Sequence, residues 1–130
     1  MESKAAIRAL AALAHDTRLA IFRLLVQAGE EGMAVGAIAE RLDLAPATLS
    51  FHLASLRHAG LVAARRDGRT LYQVTDYAAM NALLGYLSEN CCQGADCGVA
   101  SCAPQGKTQS SKPVKQERPH EKTARARGRR

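Results

Sequence analysis

A mainly helical domain with one short β-hairpin, followed by a basic tail, is the fold class this sequence predicts, and three observations predict it. Ala and Leu dominate the apolar residues while aromatics make up only 4% of the chain, a composition that favours helix. Through most of residues 5–90 the apolar positions recur at steps of three and four, the period of an amphipathic helix. The exception is residues 61–74, where two short segments flank Asp67-Gly68, the strongest hairpin signal a sequence offers. A length of 130 residues holds one small domain plus an extension. No apolar run approaches the eighteen residues of a membrane span, and the opening MESKAAIRALAALAHD lacks the long apolar core of a secretory signal. A cytoplasmic chain that does not enter a membrane is expected.

The elements follow in order. Ile7, Leu10 and Leu13 share one face of a first helix, which His15-Asp16-Thr17 interrupts. Asp16 is suited to cap a second helix whose Leu19, Phe22, Leu25 and Val26 recur at steps of three and four, with Gly29 and Gly32 closing it. A short helix from Val35 to Leu42 buries Ile38 and Leu42, and Asp43-Leu44-Ala45 turns the chain into a further helix beginning at Pro46, a residue that fits a first helical turn. That helix, Pro46 to Ala59, directs Leu49, Leu53 and Leu56 inward and leaves Thr48, Ser50, Phe51, Ser55 and His58 outward. Gly60 ends it. Strands are expected at Leu61–Arg66 and Arg69–Val74, with Arg65, Arg66 and Arg69 gathered at the hairpin tip.

Helices in this rhythm followed by a basic hairpin make a winged helix-turn-helix, in which one helix enters the major groove and the hairpin touches flanking backbone or minor groove. Double-stranded DNA is the partner this implies. A last helix from Asp76 to Asn90 carries the stripe Met80, Leu83, Leu84 and Leu87. Core packing is one use for the stripe. A domain this small has little core left to cover, so burial against a second copy, together with the first helix, is the use expected here.

Charge divides the chain at Ala103. Residues 103–130 carry a net +7 and residues 1–102 a net −1. A domain at 1–97 that ends in the cysteines and a disordered basic tail at 98–130 are expected, the tail either a solubilising extension or a source of phosphate attraction without sequence reading.

All four cysteines lie between Cys91 and Cys102, in the spacing C-C-x4-C-x4-C. Thiolates select thiophilic ions. Adjacent cysteines form a compact chelate that a third sulfur, brought round by Gln93-Gly94-Ala95, completes as a pyramid, which suits trivalent arsenic or antimony. Structural zinc prefers paired C-x2-4-C knuckles and four closed ligands, and comes second. A disulfide or uninvolved thiols are the plain alternative, the former scarce in the cytosol.

Three stretches carry a resemblance: LAALAHDTRLAIFRLL at residues 10–25, APATLSFHLASLRHAGLV at residues 45–62, and RRDGR at residues 65–69 with Tyr72. From residue 5 to about residue 97 the chain resembles the ArsR/SmtB family of metal-responsive winged-helix repressors. The resemblance implies a homodimer that sits on operator DNA and leaves it when an ion binds. The Cys-Val-Cys motif that many arsenic sensors of the family carry before the recognition helix is absent from Val35–Glu40, and the last helix has no His for a zinc site. What remains is similar to the arsenite-responsive branch with thiols at the end of the last helix, which implies Cys91, Cys92 and Cys97 as ligands of As(III) or Sb(III), with Cys102 in reserve.

The same resemblance places Thr48, Ser50, Phe51 and His52 around the reading face, where short polar side chains reach base edges or phosphates and Phe51 meets a thymine methyl. Packing is the other use for Phe51 and His52. Arg65, Arg66 and Arg69 are expected on phosphates. A thiol-based redox sensor using the same cysteines is the competing function. An enzyme is not expected, because there is no phosphate loop, no Ser or His catalytic constellation and no general base beside the thiols.

Overall fold

A computed structural model describes residues 1–95. Cys97, Cys102 and the tail expected at 98–130 lie outside the described residues. Five α-helices and three strands run in the order α1 (Ser3–Leu13), α2 (Asp16–Ala28), β1 (Met33–Ala34), α3 (Val35–Leu42), α4 (Pro46–His58), β2 (Val62–Asp67), β3 (Thr70–Thr75) and α5 (Tyr77–Leu87), followed by a single 3-10 turn at Cys91–Gly94. No helix among the described residues is long and apolar enough to cross a membrane.

The core is where the helical periods meet. Ile21 and Leu25 of α2, Ile38 of α3, Leu49, Leu53 and Leu56 of α4, and Leu61 are all 0–1% exposed. Both joints of the reading unit are closed by backbone. After α3, Asp43 adopts the left-handed conformation (φ 51°) and Leu44 N–H donates to Ala39 O at 2.9 Å. After α4, Gly60 N–H donates to Arg57 O at 2.9 Å and Leu61 N–H to Leu56 O at 3.1 Å, the paired bonds of a Schellman stop. Leu56 and Leu61 bury together beneath it.

The two faces of α1 are assigned, and three expectations are corrected. In α1 the buried residues are Ala6, Ala9 and Ala12, while Ile7 and Leu10 are 62% and 42% exposed. Small side chains let α1 lie close against α2 and α4, and that close approach turns its large side chains outward. The cap of α2 is His15, whose Nδ1 accepts from Thr17 N–H at 3.2 Å, and Asp16 is the first helical residue. The hairpin pairs Asp67 with Thr70, so its loop is Gly68-Arg69, one residue later than expected. Gly68 has a φ of 60° and Arg69 is not among the positive-φ residues, the pattern of a type II′ turn. Finally, α5 stops at Leu87 rather than Asn90, and of its stripe only Leu83 is fully buried; Met80 is half-buried, Leu84 50% exposed and Leu87 57% exposed.

A third strand went unanticipated. Met33 and Ala34 pair with Gln73 and Tyr72, giving an antiparallel sheet in the order β1-β3-β2. The helix α5 starts directly from this sheet. Asp76 N–H donates to Leu61 O at 2.9 Å, the Asp76 carboxylate caps the helix by accepting from Ala79 N–H at 3.0 Å, and Tyr77 Oη donates to Val26 O at 2.8 Å.

Candidate nucleic-acid interface and thiol pair

The sequence of α4 separates two faces. Leu49, Leu53 and Leu56 anchor it in the core, while Thr48, Ser50 and Phe51 are exposed, Phe51 by 67%. Ser55 Oγ donates back to Phe51 O at 3.3 Å, so its hydroxyl is occupied within the helix. The outward surface is a short polar row with one bare aromatic ring in it.

His52 is not part of that row. Only 8% exposed, it lies against the His15 ring, with centroids 4.8 Å apart, and against the edge of Phe51 at 5.7 Å. Of its two expected uses, packing is what this geometry provides. Burial, then the nearby His15 and Arg18, lowers its pKa from 6.5, with Asp16 acting in the opposite direction. Arg18 is itself fixed by donating from Nε to Ala12 O at 2.6 Å, which satisfies a carbonyl at the end of α1.

On the wing the three arginines do not share one environment. Arg66 and Arg69 are exposed, and their side chains make no hydrogen bond or ion pair with other described residues. Arg65 turns back towards the body: its Nη2 donates to Glu31 O at 2.8 Å and its guanidinium lies over the Tyr72 ring, 5.0 Å from the centroid. The wing is also tied to α4, through Arg57 Nη1 donating to the buried Gln73 Oε1 at 3.0 Å. Arg57, Gln73 and the partners of Arg65 were missed in the sequence. Placing the turn at Gly68-Arg69 sets Arg65 opposite Tyr72, and that register was the signal that could have found the stacked pair.

Beyond α5 the backbone coils tightly, with φ of 55° at Asn90, 54° at Cys92 and 55° at Gln93. The coil brings Cys91 Sγ and Cys92 Sγ to 3.6 Å from each other, the first half-buried and the second exposed. That separation is below twice a metal–sulfur bond of about 2.3 Å, so one thiophilic ion fits both sulfurs. Among the described residues no group of three or more His, Cys, Asp or Glu is placed to hold a metal ion. Cys97, expected as the third ligand, lies outside them.

A helix-turn-helix domain family matches residues 13–65, which spans α2 through most of β2. The transcriptional activator HlyU of Vibrio cholerae is 33% identical over 91 residues, covering 70% of this chain and 82% of HlyU. An ArsR-like transcriptional regulator from Rhodococcus sp. RHA1 superposes with a TM-score of 0.59 at 26% identity, covering 65% of this chain and 77% of that one. The chain belongs to the ArsR family of winged-helix transcriptional regulators. This ArsR-family chain is also similar to the homodimeric winged helix-turn-helix DNA-binding domain of Mb0332 from Mycobacterium bovis, 36% identical with a TM-score of 0.53, covering 67% of this chain and 81% of that domain. The nodulation protein NolR of Rhizobium meliloti is 42% identical over 80 residues, 62% of this chain, and the match spans 63% of NolR's own length.

Proposed function

We propose that this ArsR-family chain is a homodimeric repressor of double-stranded operator DNA that is released when trivalent arsenic or antimony binds Cys91, Cys92 and Cys97. One observation carries the choice of ligand: two cysteine sulfurs 3.6 Å apart at the end of α5, a ready bite for a soft ion. The dimer is supported by Ile7 and Leu10 on α1 and Leu84 and Leu87 on α5, four exposed apolar side chains on two helices that pack on each other. A second copy of the chain covers them; the Mb0332 domain is itself homodimeric. In that dimer two copies of α4 present Thr48, Ser50 and Phe51 to successive major grooves, which requires a fixed spacing between them.

Because the thiol pair lies in the turn that follows α5, with three residues between it and the helix that carries half of the dimer face, an ion there acts on that spacing. Release requires the ion to bind the free dimer more tightly than the DNA-bound one, and a coupling of roughly 1–3 kcal/mol gives a 5- to 150-fold loss of operator affinity. DNA from upstream of the chain's own gene, titrated with arsenite and antimonite, tests the reading. Cys91→Ser, Cys92→Ser and Cys97→Ser retain DNA binding and lose the response, while Cys102→Ser changes little. Normal response in all four variants overturns the thiol site.

The likeness to HlyU, which has also been solved in its reduced form, favours a second reading in which the same cysteines respond to oxidation. Release by peroxide that dithiothreitol reverses, with no response to arsenite, selects it.

A further inference from the structure

We propose that Arg65 is a positioning residue that braces the wing against the body of the domain, leaving Arg66 and Arg69 to meet phosphates; this rests on the reading of the chain as a DNA-binding regulator. Two interactions hold Arg65 away from a ligand. Its Nη2 hydrogen bond to Glu31 O measures 2.8 Å, and its guanidinium stacks 5.0 Å from the Tyr72 centroid. Tyr72 is its partner across the hairpin, whereas Arg66 pairs with Leu71. Alternation along β2 therefore sends Arg65 and Arg66 to opposite faces.

The surroundings also argue against a phosphate at Arg65. It lines a cleft together with Glu30, Glu31, Gly32, Asp67 and Tyr72, so one guanidinium shares the cleft with three acidic residues. A phosphate entering there meets net negative charge. Neither Arg66 nor Arg69 lines that cleft.

The loop that receives the brace is a firm support. Gly32 has a φ of 71°, and a Cβ at this position would stand 2.2 Å from Gln73 O and 2.5 Å from Val74 Cγ1. The backbone of the loop thus lies directly on β3, and β1 continues from it into the sheet at Met33 and Ala34. Arg65 closes the remaining side, joining β2 to the same loop. With both outer edges of the hairpin tied to one loop, the angle of the wing is set before DNA arrives, and less ordering is left for binding to supply.

A 25-base-pair duplex of mixed sequence is a sufficient probe, because the touch of a wing on backbone does not depend on sequence. Affinity is measured against salt concentration for Arg65→Ala, Tyr72→Leu, Arg66→Ala/Arg69→Ala and the triple variant with Arg65→Ala. A brace predicts that Arg65→Ala and the uncharged change Tyr72→Leu each weaken binding roughly three- to tenfold with the salt slope unchanged. It also predicts that Arg65→Ala has no effect once Arg66 and Arg69 are gone, since a braced wing with nothing to deliver contributes nothing. A phosphate contact by Arg65 instead lowers the slope by about 0.9 and costs the same in both backgrounds, and either result overturns the proposal. Hydrogen exchange of residues 62–75 in the free protein supplies a readout without DNA. Faster exchange in Arg65→Ala supports the brace and unchanged exchange overturns it. A parent chain that binds no duplex at any salt sinks the DNA-binding reading, and the exchange result still decides the brace.

Discussion

The helices α4 and α5 are both rich in leucine and meet opposite fates. In α4 the three leucines Leu49, Leu53 and Leu56 are 0–1% exposed, and the outward face is made of small and polar side chains with one large apolar one, Phe51. In α5 only Leu83 is buried, and Leu84 and Leu87 stand 50% and 57% in solvent. The first helix is finished by its own chain and, Phe51 apart, turns outward only small or polar groups. The second is finished only by something apolar from outside. One chain thus holds two surfaces that expect different company, and the side-chain chemistry of each says which.

The sharpest way to break that contrast is to truncate a leucine on each helix. Leu53→Ala removes a fully buried side chain and lowers the unfolding free energy by about 2–5 kcal/mol in urea denaturation. Leu87→Ala, measured at a protein concentration low enough to give monomers, shifts it by no more than about 0.5 kcal/mol. Equal losses at the two sites mean that α5 is as internal as α4.

Next in size is the loss of self-association. Leu84→Asp with Leu87→Asp gives monomers by light scattering with helical circular dichroism retained, a weakening of at least about 100-fold, or 2.7 kcal/mol. Leu83→Asp is a different experiment, since a charge at a 5% exposed position unfolds the domain. A dimer that survives the double change places the interface elsewhere.

Smaller again, Thr48→Ala or Ser50→Ala weakens operator binding by about 1–3 kcal/mol wherever the hydroxyl reads a base edge, and leaves binding to mixed-sequence DNA unchanged. Equal weakening on both DNAs assigns these residues to the phosphate backbone instead.

The smallest effect concerns His52. Its folded-state pKa lies below 6.5, through burial first and then His15 and Arg18, so the folded chain takes up the proton less readily than the unfolded one. Stability is therefore full above about pH 6.5 and falls as acid carries the pH through that value towards the folded pKa. His52→Gln flattens the melting temperature between pH 6.5 and 5. A variant that loses as much as the parent over that range assigns the acid sensitivity to other groups.

Most of α3 and α4 was legible in the sequence because each signal there had one solution. Val35 and Leu42 bound the first, Pro46 opens the second, and the inward residues Ile38, Leu49, Leu53 and Leu56 lie where the period puts them. The misplacements share a physical cause. The cap of α2 is offset because His15 and Asp16 both offer an acceptor to Thr17 N–H. The hairpin loop slipped by one because either Asp67-Gly68 or Gly68-Arg69 puts glycine in the turn. At two residues, β1 is too short to show any alternation. At the candidate site the polar row of α4 and the exposure of Arg66 and Arg69 were readable. The diversion of Arg65 and the burial of His52 were not, since both depend on residues distant in sequence: Glu31, thirty-four positions from Arg65, and His15.

Between the sheet and α5 there is no spare residue: Thr75 ends β3, Asp76 is the cap and Tyr77 is already helical. Each residue advances a helix by about 100°, so this direct join fixes the compass bearing of every α5 side chain relative to the wing. Inserting one residue there would swing Leu84 and Leu87 about a quarter-turn away from Ile7 and Leu10, leaving each helix intact and the shared face scattered. The missing linker works as a keyway: the strand's end sets the rotational bearing of α5, and with it the direction in which Leu84 and Leu87 face.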